Sequence, residues 1–509
     1  MGRRIVGLTP EQCLLCCAAG VGDGVDVSVM GDVSQSQELC ESALDGIDFH
    51  WQSSSDYRAV VGRTLPDVEF QNTFGVFVLC TIAHGSTSVA NGASSDWLRQ
   101  LRYTLRIMAK HSSVALSWRE RLLLLSFFFF GLASPIFLLF TNTFLWKENA
   151  SPMAMITYNV GIYIGVALGF IANRTLLLKF PARALYQVSC VLQGIAPLIL
   201  VWFSPKSATS ILGLGLCFGL SAGLYFANRN FFTSLITQGK HRFAFLSLDT
   251  AMATVSAVLS PLLVGWYLTF AQMQQHVPIT SAYLHTAIVG LVFLLCAGAF
   301  IYVPEGEAQQ STKRIFIGNA SKRWNAVRLM DFVGGLAHGV FMTIPFLAAL
   351  TLLTAEVSIG KMQSGATLIG ALSIYVVGKY RTKIPHGALI GIWLVVSVIA
   401  GGLIAYAFSA WSVVAAAILA GAVGPLYRTS TAHLMYEAVD KESDTERASF
   451  LLDREIFIDV GRVVALIGCG VALHFSYDVT LRYGYLFATA IHIALLAAAL
   501  RVSRHLRKA

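Results

Sequence analysis

Gly131-Leu132-Ala133-Ser134-Pro135-Ile136-Phe137 stands near the start of one apolar segment, and Gly335-Leu336-Ala337-His338-Gly339-Val340-Phe341 stands near the start of another, 204 residues later. Other landmarks recur at nearly the same displacement. Gly219, Leu224 and Tyr225 map onto Gly421, Leu426 and Tyr427 at 202, and Gly165 maps onto Gly370 at 205. Arg242-x-x-Phe245-Leu246, Val255, Val258 and Gly265 match Arg447-x-x-Phe450-Leu451, Val460, Val463 and Gly470, all at 205. A period this long is no solenoid. In a membrane protein it indicates two homologous halves around a central site.

Composition supplies the membrane. Hydrophobic residues make up 55% of the chain, charged residues only 13%, and the mean hydropathy is +0.64, more apolar surface than a soluble core needs. Windows of about 20 residues, enough for a helix to cross about 30 Å of hydrocarbon, predict twelve spans. They lie near 121–146, 154–173, 182–203, 208–228, 246–270, 280–303, 328–353, 362–378, 387–408, 410–436, 454–475 and 481–501. The expected fold is therefore an all-α polytopic membrane protein: a first six-helix bundle over 115–303, a linker over 304–327 and a second six-helix bundle over 328–503.

Lysine and arginine orient it, because they are retained on the cytoplasmic side. From Met108 onward there are 30; with the N-terminus inside, 24 fall on the cytoplasmic side and Lys147, Lys206, Lys361 and Arg482 outside. The remaining two, 30 − 24 − 4, are Arg428 and Arg462, within the bilayer. Both termini are thus expected to be cytoplasmic, in an inner or plasma membrane. The net charge of +9 is mostly topological, and no basic run interleaved with aromatics suggests nucleic acid. The nine cysteines are dispersed and imply no disulfide framework.

The first 107 residues differ. Seven arginines against twelve acids give them a net charge of −5, while the remainder carries +14. They contain neither a secretory signal nor a spanning segment. Cys13-x-x-Cys16-Cys17 lacks the second ligand pair of a zinc site. Two readings stay open: a disordered acidic extension, or a start codon at Met108 with the preceding segment mis-assigned.

Twelve helices in two halves, a cytoplasmic linker, and basic loops after helices 2 and 8 resemble the major facilitator superfamily over roughly 115–505. The resemblance rests partly on Gly169-Phe170-Ile171-Ala172-Asn173-Arg174 with Lys179 and Arg183, and on its counterpart Gly378-Lys379-Tyr380-Arg381-Thr382-Lys383. Asn173 stands where the family motif carries an acid, and the second copy lacks the acid too. The resemblance implies a secondary transporter that works by alternating access, without a cofactor. It also implies that helix 7 lines a cavity and that helix 11 supports helix 10 at the moving interface.

Function is then sought among polar residues inside the spans, which are expensive in hydrocarbon. Arg428, deep in helix 10, is a candidate anchor for an anionic or zwitterionic solute; snorkelling to the interface is the alternative. His338 could carry a coupling proton, and Asn159 and Gln193 add hydrogen-bonding capacity to the first half. Asp459 and Arg462, three residues apart on one helix face, read as an ion pair for gating or coupling. Asp249 and Asp331, near the cytoplasmic ends of helices 5 and 7, are candidates for gate or interface pairing, as are Arg174 and Lys379, which sit 205 apart. The partners expected are a small-molecule solute and the lipid bilayer, with the protein a monomer.

Two other classes are weighed. Gly219-Leu220-Ser221-Ala222-Gly223 matches the elbow of serine hydrolases, but an elbow needs a strand-to-helix turn, and close helix packing explains the small residues as well. A lipid-translocating or receptor protein on a transporter fold is the other. Walker A and HExxH motifs are absent from the sequence, so ATP-driven pumping and zinc proteolysis have no support.

Overall fold

The computed structural model describes residues 116–149, 151–236, 239–273, 275–302, 318, 320–380, 386–442 and 447–508. The acidic segment 1–107, Met108 and most of the linker lie outside these residues. Twelve helices follow one another among the described residues: α1 Trp118–Asn149, α2 Pro152–Leu176, α3 Ala182–Phe203, α4 Ala208–Ile236, α5 Gly239–Met273, α6 Ile279–Phe300, α7 Lys322–Leu352, α8 Glu356–Tyr380, α9 His386–Ala407, α10 Ala410–Asp440, α11 Arg447–Phe475 and α12 Tyr477–Lys508. Eleven are long and apolar enough to cross a membrane. The twelfth is α8, whose first turns carry Glu356, Lys361, Gln363 and Ser364. At 25 residues and about 1.5 Å per residue, it still has the length to span. The protein is a multi-pass integral membrane protein.

Local sequence sets the ends. Ser117 caps α1 in a reciprocal box with Glu120, and Ser151 caps α2 ahead of Pro152. Ser321 caps α7 by accepting from the Trp324 amide, so that helix starts inside the stretch read as linker. Pro135 removes an amide from the α1 ladder, and the next five residues, Ile136–Phe140, form a π-helical turn. Asn142 and Thr143 donate back to the carbonyls of Leu138 and Leu139.

Within the first half α4 packs on α2 and α3, α6 on α3 and α1, and α1 on α5. The second half repeats the plan: α10 on α8 and α9, α12 on α9 and α7, and α7 on α11. The halves meet along two seams, α5 with α8 and α2 with α11.

Glycines govern these approaches. A Cβ on Gly219 would overlap the carbonyl of Ile162, and one on Gly165 would overlap that of Leu216, so α2 and α4 touch backbone to backbone. Ser221 lies inside this helix, fully buried, its hydroxyl donating to the Phe218 carbonyl. It is a packing residue and no nucleophile elbow. Gly219→Ala should therefore destabilise the detergent-solubilised protein by about 1–3 kcal/mol, the usual cost of overpacking. Gly213→Ala, on the same helix with nothing within 4 Å of the added carbon, should leave thermal unfolding unchanged or improve it slightly. Equal melting of the two variants would contradict the packing described.

Candidate functional site

Polar residues from both halves converge midway along the helices. On α11, Arg462 donates from Nη1 to Oδ1 of Asp459 at 2.7 Å. The Asp459 side chain is 1% exposed and that of Arg462 23%. Their three-residue spacing places them on one face, as the sequence requires. The guanidinium carbon of Arg462 lies 5.0 Å from the ring centroid of Tyr163 on α2, a cation–π contact across the seam. The same tyrosine meets His338 of α7 edge to face, with ring centroids 6.4 Å apart. Tyr163 thus touches two charged or titratable side chains of the opposite half.

Arg428 completes the cluster from α10. It is exposed, and its side chain has no ion pair or hydrogen bond among the described residues. Both it and Arg462 are close enough to act electrostatically on His338. Arg428 and Arg462 bring two positive charges to the cluster and Asp459 one negative charge, with Glu455 and Arg454 acting on the Asp459–Arg462 pair from the same helix. Several polar atoms here are buried and unpartnered: Asp459 Oδ2, Arg462 Nε and His338 Nδ1. Buried groups of that kind cost free energy unless a ligand or water meets them.

Asn159 belongs to the edge of the same site. It is four residues before Tyr163 on α2 and so shares its face. Its amide donates to Asn142 Oδ1 of α1 at 2.8 Å and to the Met155 carbonyl. Gln193 is elsewhere: it is 4% exposed, on α3, inside the first half, with Oε1 unpartnered.

Nearer the Lys322 end of α7 a second group of charges lies between α7 and α11. Arg454 Nη1 pairs with Glu455 at 2.7 Å, and Arg454 Nε stands 3.6 Å from buried Asp331. Arg328 makes a two-pronged contact with Asp453, which also accepts from Trp324 Nε1. Asp249 is held by Arg229 of α4 through two hydrogen bonds of 3.0 and 2.7 Å, and Arg229 lies over Phe127 of α1. These pairs lie within one half each. Arg174 is in the last turn of α2, beside Asn173, whose oxygen accepts from Asn228 of α4 at 2.7 Å. An amide pair occupies the place where the family motif has an acid. Lys379 is in the last turn of α8, but its side chain lies outside the described residues.

The end of the bundle away from the termini is tied by a residue that the sequence reading missed. Glu356, first in α8 and 2% exposed, accepts on one oxygen from Lys147 of α1 at 2.6 Å, Gln272 of α5 at 3.0 Å and Tyr283 of α6 at 3.1 Å. Three helices of the first half are thereby fastened to one carboxylate of the second. The Val357 amide also donates to Thr269, and Ser364 donates to the Val258 carbonyl nearer mid-helix. Below Glu356, Gly360 abuts the Pro261 carbonyl, and a Cβ on Gly265 would come within 2.6 Å of the Glu356 carbonyl. An acid at a helix start is ordinary, and its partners are scattered over 136 residues of sequence (283 − 147). Only the fold brings them together.

The chain matches the family model described as Major Facilitator Superfamily over residues 122–451. No curated protein matches it by sequence. Among solved structures it is similar to the nucleoside transporter NupG, with a TM-score of 0.58 and 13% identity over 76% of this chain and 99% of that one. It is also similar to a POT family transporter in complex with 5-aminolevulinic acid, with a TM-score of 0.57 and 12% identity over 76% and 96%. A bacterial homolog of the human lysosomal transporter Spinster, in an inward-facing and unoccupied conformation, gives 0.51 and 10% over 76% and 94%. At such identities the likeness is one of fold.

The Glu356 node gives a direct test of the seam. In a background without native cysteines, Ser364→Cys sits between the halves, and an impermeant maleimide should label it slowly. Adding Glu356→Ala removes the acceptor of Lys147, Gln272 and Tyr283, and labelling from the far side should accelerate about tenfold or more, since hydrogen bonds to a charged group contribute about 1.5–3 kcal/mol each. An unchanged rate would show that this carboxylate holds nothing shut.

Proposed function

Because the chain belongs to the Major Facilitator Superfamily, we propose that it is a secondary transporter that moves a small polar, anionic solute by alternating access of its two halves. The observation that carries the anionic part is Arg428, exposed at mid-helix and unpartnered among the described residues, beside an Asp459–Arg462 pair whose charges offset each other. A solute carboxylate or phosphate would pair with its planar fork, while Asn159 and Tyr163 would approach the same solute from the first half. His338 is the proposed carrier of a coupling proton. A protonated imidazole there would add a third cation against the single carboxylate of Asp459, which an arriving anion would offset.

The orientation proposed is both termini cytoplasmic, on the strength of the lysine and arginine distribution. The Glu356 node then lies on the outer face, and its closure suits a state that opens towards the cytoplasm. Asp459 and Arg462 fix the Tyr163 seam, so they are assigned to coupling and not to direct solute contact.

A thermal-shift screen of the purified protein against a library of water-soluble anions tests the substrate class, because a ligand that binds only the folded state stabilises it by mass action. Stabilisation by lipids alone would point instead to a lipid-moving protein. In uptake assays Arg428→Lys should weaken apparent affinity although the charge is kept, since an ammonium cannot reproduce the bidentate geometry of guanidinium. Arg428→Lys with normal affinity would remove Arg428 from the binding site.

Topology has its own check: a reporter fused after Ala509 should be cytoplasmic, and one inserted near Gln274 should be external. Finding both on one side would overturn the orientation. For the α11 pair, Asp459→Ala and Arg462→Ala should each impair folding or cycling, because either leaves a charge without its partner, and the double substitution should recover part of the loss. A double variant no better than the worse single would remove the pair from the mechanism.

A further inference from the structure

Outside the central cluster, a hollow of about 380 Å³ lies between α7 and α12 at their Lys322 and His505 ends. Lys322, Asn325, Ala326 and Leu329 line it from α7, and Arg501 and His505 from α12. On α7 these residues recur at intervals of three and four, and on α12 at four, so each helix presents one continuous face to the hollow. Two groups distant in sequence are thus brought together by the fold. Neither Lys322, Arg501 nor His505 has an ion pair or side-chain hydrogen bond among the described residues. Neighbouring Arg323, by contrast, is engaged by Glu442 at 2.9 Å.

The hollow also changes character with depth. Leu329 is 41% exposed and lies seven residues into α7 from Lys322, about 10 Å along the axis. The apolar spans read from sequence begin at 328 on α7 and end at 501 on α12, so both helices enter hydrocarbon at this level. Cations and an amide therefore rim the aqueous side, and an exposed leucine leads into the bilayer. A soluble anion would use only the rim. A phospholipid would use both, with its phosphate among Lys322, Arg501 and His505 and an acyl chain along Leu329.

The geometry points to a structural binding site for one anionic phospholipid in this hollow, separate from the transported solute's site. Basic residues are common on a cytoplasmic face and mostly serve topology there, as Arg504 and Arg507 of the same helix do; Lys322 and Arg501 are equally exposed. What distinguishes the three in the hollow is convergence from two helices onto one space that continues into the membrane. An occupant there would tie α12 to α7 beside the linker, at the base of the second half.

The test is native mass spectrometry of the full chain in detergent, titrated with phosphatidylglycerol. One phosphatidylglycerol should be retained more tightly than the rest, and its apparent Kd should rise at least about tenfold in Lys322→Gln/Arg501→Gln/His505→Gln, given the attraction of clustered surface cations for anionic lipid. Arg504→Gln/Arg507→Gln, which removes the same number of full charges from the same end of α12, should retain it as the parent does. Should the triple variant fail to accumulate, Arg501→Gln alone is read by the same titration and should weaken retention in the same direction. Equal retention by parent and variant overturns the site. So does equal binding of phosphatidylcholine, or full displacement by inorganic phosphate, which would mark a site for soluble anions.

Discussion

Close approach of helix backbones at small side chains is the constraint on which the rest of this structure depends. Lipid tails are as apolar as the side chains they surround, so helices in a membrane gain little by hiding apolar surface from each other. Dispersion at short range and hydrogen bonds must supply the association. Gly131 of α1 lies against Ser256 of α5, and 204 and 205 residues on, Gly335 of α7 lies against Gly461 of α11. Gly165 of α2 lies against Gly219 of α4, and Gly370 of α8 against Gly421 of α10. The landmarks that betray the internal repeat are the contact points of the helices. Their recurrence is the repetition of one packing solution, with Ser256 standing where the second half has Gly461.

The charged residues of the central cluster follow no such repetition. Asp459 and Arg462 correspond to Thr254 and Ala257 in the first half, His338 to Ser134, and Asp331 to Phe127. Arg454 corresponds to Asp249, so the site is kept while the sign is reversed, and each half solves the pairing with a different neighbour. Tyr163 corresponds to Leu368. The two halves thus share a scaffold and divide the chemistry: the second brings the ionisable groups, and the first brings amides and an aromatic ring to meet them. A site assembled in this way is intact only where the two halves come together.

What could be read from sequence follows from the same division. The spans, the two halves and the unusual cost of Arg428, Arg462, Asp459 and His338 were legible because charge inside an apolar run is conspicuous whatever the fold. Gln193 carried an equally polar signal and lies inside the first half, since hydropathy says which residues are in the membrane but not which way a helix is turned. Tyr163 gave no signal apart from its spacing of four from Asn159, and tyrosine is common in apolar spans. Glu356 was invisible for a different reason. It stands at a helix start, where an acid needs no explanation, and its significance comes from three donors on three other helices. The glycine contacts leave a mark in the repeat, Gly265 and Gly470 at the two seams included, whereas the Glu356 hydrogen bonds leave none.

That difference has a mechanical meaning. The α2–α4 approach inside the first half is dry and backbone to backbone, and separating those helices would leave voids that neither water nor lipid fills well. Between the halves, the Glu356 end of the α5–α8 seam adds side-chain hydrogen bonds to its backbone contacts: Lys147, Gln272 and Tyr283 on Glu356, and Thr269 on the Val357 amide. Water can take over each of those hydrogen bonds when the seam parts, so opening costs the difference between protein and water partners and not the whole of each bond. At Gly265 and Gly360 the same seam also brings α5 and α8 backbone to backbone, against the carbonyls of Glu356 and Pro261. Closely packed halves and a seam whose hydrogen bonds water can replace suit the proposed rocking about Tyr163, His338, Arg428 and Arg462.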